Sequence, residues 1–210
     1  MKDRALPEVP VRVVVFAKAP VPGEVKTRLA ALLGPDGAAA LHAGLVRRAL
    51  ATAVQAAIGP VELWCAPDAS HSFFEKCAVD FGVDLREQQG GDLGARMDHA
   101  LSPLPALVIG SDCPVLGVED LRQAARALRA HDAAIAPAED GGYVLIGLSR
   151  AHPRLFEGIA WGTAAVMGQT RERLAENRIA WEELPTRWDI DRPEDYQRLQ
   201  REGRLEEVLS

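Results

Sequence analysis

The sequence predicts an α/β protein: a Rossmann-like, doubly wound, mostly parallel sheet with an antiparallel hairpin insertion. Three observations carry that expectation. Short β-branched runs alternate with stretches of helical period. Runs such as 11–18 (VRVVVFAK) and 106–110 (ALVIG) are apolar without alternation, as strands covered on both faces must be. Two neighbouring strand-like runs, 132–137 and 143–148, are joined only by AlaGluAspGlyGly, a link too short to cross over to a parallel partner.

The elements follow in order. Residues 11–18 form the first strand, and the two prolines and glycine of 19–23 forbid regular structure after it. Helical pattern runs from about Val25 to Leu33, is broken by GlyProAsp at 34–36, and resumes to about Ile58 with Asp36 as its cap. Strand 61–66 leads to a helix near 69–78 and a short strand near 82–87. A helix over 92–101, capped by Asp92, precedes strand 106–110, and a further helix spans about 118–130 with Leu121, Ala124, Ala125 and Leu128 on one side. After the hairpin 132–148 come helical patterns near 153–158 and 163–177, the latter capped by Thr163, then strand 179–184 and a helix from about Pro193. No repeat or linker interrupts this order, so residues 1–210 read as a single domain.

Composition narrows the function. With 48% hydrophobic residues the chain can bury a large core, and a net charge of −6 argues against nucleic-acid binding, which needs a basic face. The charge is uneven. Residues 1–60 hold eight Lys/Arg against four acids, leaving −10 for residues 61–210, so the first segment suits a small polyanion. Cys65, Cys77 and Cys113 form no CxxC pair, which points away from zinc or disulfides and toward a reducing cytoplasm. The first twelve residues lack the apolar stretch of a signal peptide, and no membrane-spanning run of about 18 apolar residues is evident.

Ligands of open α/β sheets bind beyond the carboxyl ends of the parallel strands. Three segments stand out there. The first, 17–28, joins the first strand to the first helix. Gly23 allows close backbone approach, Lys18, Lys26 and Arg28 supply charge, and Thr27 stands among them, so a phosphate site is expected. The alternative is a proline-stiffened loop beside a wet helix face. The second, IleGlySerAspCysPro at 109–114, ends an apolar strand in Asp112, a good ligand for a hard cation; the alternative is a turn cap. The third, 188–195, carries Asp189 and Asp191 on one side of an extended stretch. With Asp112 they complete a candidate site for Mg²⁺ or Mn²⁺, although Asp191 with Glu194 also fits a helix capping box. Arg96, one turn after Asp92, is a further candidate nucleotide contact. Glu139 and Asp140, on the hairpin, are the candidate catalytic bases, expected at the acceptor side of the cleft. None of the five histidines is assigned a role.

The motifs PheAlaLysAlaProValProGlyGluValLysThrArgLeu, GlyAspLeuGlyAlaArgMet, IleGlySerAspCysPro, GluAspGlyGlyTyrValLeuIleGlyLeu and TrpGlyThr, in this order, resemble the bacterial family DUF2064, also called selenodomain-associated transferase 1. The resemblance runs from about residue 11 to 200. It implies the GT-A fold of the nucleotide-diphospho-sugar transferase superfamily, which also contains the 2-phospholactate and molybdenum-cofactor guanylyltransferases. It implies further that Asp112 stands where that superfamily's metal-binding aspartate ends its strand. AspArgProGluAsp at 191–195 is similar to the Asp-Thr-Pro-Glu-Asp of several sugar-nucleotide synthetases, with Arg192 in place of Thr. The glycine-rich first loop of the nucleotidyltransferases is missing.

Three readings follow. The first is a glycosyltransferase using a nucleotide-diphospho-sugar and an unidentified small-molecule acceptor. The second is a nucleotidyltransferase joining an NTP to a phosphorylated small molecule, with Lys26 and Arg28 stabilising the leaving pyrophosphate. The third is a non-catalytic nucleotide-binding module.

Overall fold

The computed structural model describes residues 9–209; the stretch 1–8, most of the segment read as lacking a signal peptide, lies outside them. Seven strands form one sheet: β1 (Arg12–Lys18), β2 (Val61–Ala66), β3 (Asp84–Glu87), β4 (Ala106–Gly110), β5 (Ala133–Pro137), β6 (Tyr143–Leu148) and β7 (Trp181–Glu183). Their spatial order is β3-β2-β1-β4-β6-β5-β7. All pairings are parallel except the two made by β6, which runs against both β4 and β5. The expected hairpin is therefore present, but its second strand inserts between β4 and β5. That reversal puts the start of β6, Tyr143, at the same end of the sheet as the ends of β1 and β4.

The strands are apolar throughout because helices cover both faces. Val13, Val15, Leu63, Leu107, Ile109 and Leu145 point to one face, under α1 (Ala30–Ala56), α2 (Ser72–Phe81) and α4 (Val118–Ala127). Val14, Phe16, Trp64, Val108, Ile135 and Ile146 point to the other, under α3 (Leu93–Leu101) and α5 (Val166–Glu176). A third apolar cluster joins Leu41 and Leu45 of α1 to Trp188, Ile190, Leu199 of α6 (Pro193–Arg201) and Val208 of α7 (Leu205–Leu209). It fastens the C-terminal segment beside the first helix.

Several helix boundaries differ from the expectation. The expected break at 34–36 is present: a short 3-10 turn, Thr27–Leu29, feeds α1, whose two segments meet at Gly34, where the backbone leaves the helical region (φ 71°, ψ 165°). Gly34 is the cap position and Pro35 fills the first turn, so Asp36 sits inside the helix rather than capping it. Asp92 caps α3 as expected, accepting from Ala95 N at 2.8 Å. Thr163 accepts from Ala165 N at 3.3 Å before α5 begins and caps a turn, not the helix. Asp191 does not cap α6. Arg192 holds that position and Asp195, not Glu194, accepts from its N–H at 2.7 Å. Residues 153–158 form turns, with Leu155 and Phe156 buried against the second face. The helix α7 was not foreseen; its Val208 carbonyl lies where a Cβ on Gly44 would be, 2.0 Å away.

α1 is long and apolar enough to cross a membrane, contrary to the reading of the sequence. It is interrupted by the Gly34 kink, and Leu41, Leu45, Val46, Leu50 and Ala53 are buried on the sheet and the C-terminal helices. That packing accounts for its composition.

At the opposite, amino end of the sheet, Arg12 is buried. It pairs with Glu62 at 2.6 Å and donates to the carbonyls of Ala100 (2.6 Å) and Pro103 (3.1 Å), so β1, β2 and the end of α3 meet on one guanidinium. Arg12→Ala should leave Glu62 and two carbonyls short of a partner and cost about 3–5 kcal/mol. Urea denaturation checks this; a loss below 1 kcal/mol would show the cluster to be incidental.

Candidate active site

A cleft of about 530 Å³ opens at the carboxyl ends of β1 and β4. Its wall contains Lys18, Lys26, Thr27, Arg28, Asp112 and Asp191 on one side, with Phe16, Met97, Val108, Tyr143 and Ile146 on the other. The apolar side is the second face of the sheet surfacing between α3 and β6. Tyr143 packs edge-on against Trp161 and directs its hydroxyl at the Met97 sulfur, 3.8 Å away.

The loop after β1 is shaped by a turn. Glu24 N bonds to Val21 O at 3.0 Å, with Pro22 and Gly23 between them and Gly23 at φ 84°. This is the type II pattern of proline then glycine. Gly23 thus serves the turn and lies outside the cleft wall. The turn delivers Lys26, which is left-handed (φ 48°, ψ 38°), a conformation costly for a residue with a Cβ.

Lys26 does not reach into the cleft as an open cation. Its side chain is 5% exposed, its Nζ lies 2.8 Å from Asp112 Oδ1, and it donates to the Ile190 carbonyl. Ile190 N in turn bonds to Asp112 O at 2.9 Å. Three segments far apart in sequence are closed into a ring around one ammonium. His42 of α1 completes it: Nε2 donates to the Lys18 carbonyl at 3.0 Å, and Nδ1 faces Asp112 Oδ1 at 3.7 Å. Burial raises the Asp112 pKa, but the Lys26 charge and His42 outweigh it and hold the carboxyl well below the usual carboxylate range. Oδ1 is inaccessible, yet the side chain is 47% exposed, so the second oxygen opens to the cleft.

The three aspartates expected to share a metal divide. Asp191 pairs with Arg28, across the mouth of the cleft. Burial first, and then the charges of Asp140 and Asp112, push the Asp189 pKa up to about 6. Among the described residues no three His, Cys, Asp or Glu side chains are gathered as one ligand set. The two hairpin acids also part. Glu139 is exposed and tied to Arg198 of α6 at 2.9 Å, while Asp140 accepts from Gly142 N at 2.9 Å. Their loop stands at the carboxyl ends of the parallel strands, as expected, because it follows β5, which runs in the direction of β4, and Gly141 (φ 92°) lets it press on the Ala164 carbonyl. Arg96 is not part of the cleft wall; it holds the preceding loop through the Gly90 carbonyl at 3.3 Å. Lys18, by contrast, lines the cleft and has no ion-pair partner among the described residues.

Two residues escaped the sequence reading. His42 stands one turn from Ala38 and from Val46 on the buried stripe of α1, and a histidine on an apolar stripe was its only signal. Gln88 donates from Nε2 to the Trp64 and Ala17 carbonyls (2.9 and 3.3 Å) where β1 and β2 end, which no local pattern announces. Cys113 adjoins Asp112, but burial pushes its thiol up to about 11, so it is no nucleophile at neutral pH.

A family model described as "uncharacterized protein conserved in bacteria (DUF2064)" matches residues 49–163. Among solved structures, one from Desulfovibrio desulfuricans G20, provisionally classed as a nucleotide-diphospho-sugar transferase, is 35% identical and covers 87% of this chain and 82% of its own, with a TM-score of 0.79. A cytidylyltransferase from Leptospira borgpetersenii is 15% identical, with 91% and 85% of the two chains covered and a TM-score of 0.59. Rv0371c from Mycobacterium tuberculosis, solved in complex with manganese, is 18% identical, with 91% and 98% covered and a TM-score of 0.50. The last two share the fold. The search of curated proteins returns no match.

The site's support extends into α1. Arg48 donates to the Pro114 carbonyl at 2.7 Å, two residues past Asp112, and reaches Glu207 at 3.1 Å, whereas Arg47 meets Asp80 at the surface. Nothing local to residues 47–48 separates them. Arg48→Ala should cost about 1–3 kcal/mol of stability and Arg47→Ala less than about 1 kcal/mol. Urea denaturation of the two variants decides; equal losses would remove Arg48 from the support of the Asp112 loop.

Proposed function

The chain belongs to the DUF2064 family of bacterial proteins, and we propose that it is a metal-dependent transferase acting on a nucleotide-activated donor, a glycosyltransferase using a nucleotide-diphospho-sugar. One observation carries this reading: Asp112 stands at the tip of β4 with one oxygen clamped and the other open to a cleft that also holds Lys18 and Arg28. An anionic diphosphate would find complementary charge in those cations and in a metal ion on Asp112. The name of the Desulfovibrio relative supports the sugar-nucleotide class.

The residues fit a divalent ion in company rather than alone. Mg²⁺ typically takes one or two carboxylates and completes its shell with water and substrate phosphates. Asp112 supplies one open oxygen and leaves the other positions of that shell to water and phosphate. The manganese complex of the Mycobacterium protein supports the choice of Mg²⁺ or Mn²⁺. When bound, such an ion neutralises charge on the departing diphosphate.

The chain's own groups supply the rest. Arg28 exchanges Asp191 for a phosphate oxygen and can grip it with two parallel hydrogen bonds. Lys18 adds charge from the end of β1, with Thr27 beside it. Asp191 then serves as the residue that holds Arg28 in place before the nucleotide arrives, not as a metal ligand. Asp140, on the loop at the carboxyl ends of the parallel strands, is the base toward the acceptor; Glu139, held by Arg198, orients that loop. The buried free thiols of Cys65, Cys77 and Cys113 suit a reducing cytoplasm. A second reading, nucleotidyl transfer from an NTP, is favoured by the cytidylyltransferase fold relatives and by two cations placed to receive a leaving pyrophosphate.

A thermal-shift series of NTPs and nucleotide-sugars, with and without Mg²⁺ or Mn²⁺, separates the two, since ligands of the native state raise its apparent stability. The largest shift is expected from a nucleotide-sugar with metal; a largest shift from an NTP selects the second reading. Asp112→Ala should abolish the metal-dependent part of the shift while the unliganded protein stays folded, and an unaltered shift would remove Asp112 from the site. Arg28→Ala should weaken nucleotide binding by roughly tenfold to hundredfold in titration calorimetry, with Arg28→Lys recovering only part of it. If Arg28→Ala costs no more than Arg47→Ala, the loop is only a basic surface.

A further inference from the structure

We propose that Lys26 is a positioning residue that makes divalent-metal binding depend on the nucleotide's phosphates: its ammonium pins one oxygen of Asp112, leaves the other as a single fixed ligand, and cancels the charge that would draw a bare ion into the cleft. The inference rests on the metal-dependent reading above.

Lys26 has the marks of a built-in counterion. Its side chain is 5% exposed, its Nζ is engaged by Asp112 Oδ1 at 2.8 Å and by the Ile190 carbonyl, and its backbone holds the strained left-handed conformation (φ 48°) that this geometry requires. To bind a phosphate directly it would have to leave both partners and surrender a buried carboxylate oxygen. His42 points the same way. It is 4% exposed, and its Nδ1 is buried without a hydrogen-bond partner, aimed at the same Asp112 oxygen at 3.7 Å. That oxygen is walled in from both sides, so only its twin can serve a metal.

The free protein therefore offers a poor site for an ion. Asp112 is neutralised by Lys26, Asp191 by Arg28, and among the described residues no three ligating side chains converge. A dication approaching Asp112 meets an ammonium a few ångströms behind the carboxylate, and in a partly desolvated cleft that repulsion is large compared with thermal energy. Phosphate oxygens reverse the balance: they bring the missing ligands and negative charge and draw Arg28 off Asp191. Metal and diphosphate should thus bind with strong mutual coupling.

The test uses Mn²⁺ alone and Mn²⁺ with inorganic pyrophosphate, followed by water-proton relaxation, which senses Mn²⁺ held on the protein. The native chain should take Mn²⁺ at least about tenfold more tightly when pyrophosphate is present. Lys26→Met, and Lys26→Gln as a milder change that keeps a hydrogen-bond donor, should each tighten Mn²⁺ alone by roughly tenfold and shrink the coupling. Thermal melts by circular dichroism establish that the variants compared are folded. Unchanged affinity for Mn²⁺ alone in a folded variant overturns the proposal, as does a loss of metal-free pyrophosphate binding without any gain in Mn²⁺ affinity, which would make Lys26 a phosphate ligand. Asp112→Asn separates the two levels. If it keeps Mn²⁺ binding with pyrophosphate, the metal reading itself fails; if it loses that binding while both Lys26 variants behave as the native chain, only the role of Lys26 fails.

Discussion

The cleft depends on one buried ammonium. Lys26 binds Asp112 Oδ1 and the Ile190 carbonyl, and Ile190 N closes the ring on the Asp112 carbonyl. Removing a charge of this kind leaves a partly buried carboxylate unpaired, which costs more than an exposed ion pair would. The ring also accounts for the left-handed backbone of Lys26: an ion pair and a hydrogen bond at the side-chain end hold a conformation the residue would otherwise avoid. The loop after β1, the tip of β4 and the segment before α6 are thereby made one object.

The sheet supplies the platform. Reversal of β6 between β4 and β5 brings Tyr143 and the Glu139–Gly142 loop to the end where β1 and β4 finish. A parallel strand in that place would have delivered its first residues to the far end and left the cleft without its second wall. The alternation of side chains then divides the strands' labour. Val13, Val15 and Ile109 fill the core under α1, while Phe16, Val108 and Ile146, on the other face, surface as the apolar side of the cleft.

The charges at the cleft are paired before any ligand arrives, and the pairs differ in kind. Lys26–Asp112 is buried on the lysine side and rigid. Arg28–Asp191 is exposed on both sides, 63% and 44%, and screened by water, so a phosphate can compete for Arg28 at little cost. Lys18 has no ion-pair partner among the described residues. The three cations thus grade from fixed (Lys26) through exchangeable (Arg28) to open (Lys18). It suits recognition of a polyanion whose far end must later leave.

Much of this was legible in the sequence. Uninterrupted apolar runs placed β1 and β4 to within a residue, the five-residue link forced the antiparallel step, and GlySerAsp after a buried strand marked Asp112, because these signals depend on neighbours along the chain. What side chains do across the chain was decided by tertiary packing. Lys26 and Arg28 look equivalent two residues apart, yet the left-handed turn at Lys26 buries one and leaves the other at the surface. Glu139 and Asp140 are adjacent acids, but only Glu139 lies beside Arg198, 59 residues on. His42 acquires a role solely because α1 lies under the Asp112 loop. Local pattern sets where strands and turns fall; the partner of a charge is set by which distant segment folds against it, and no period in the sequence records that distance.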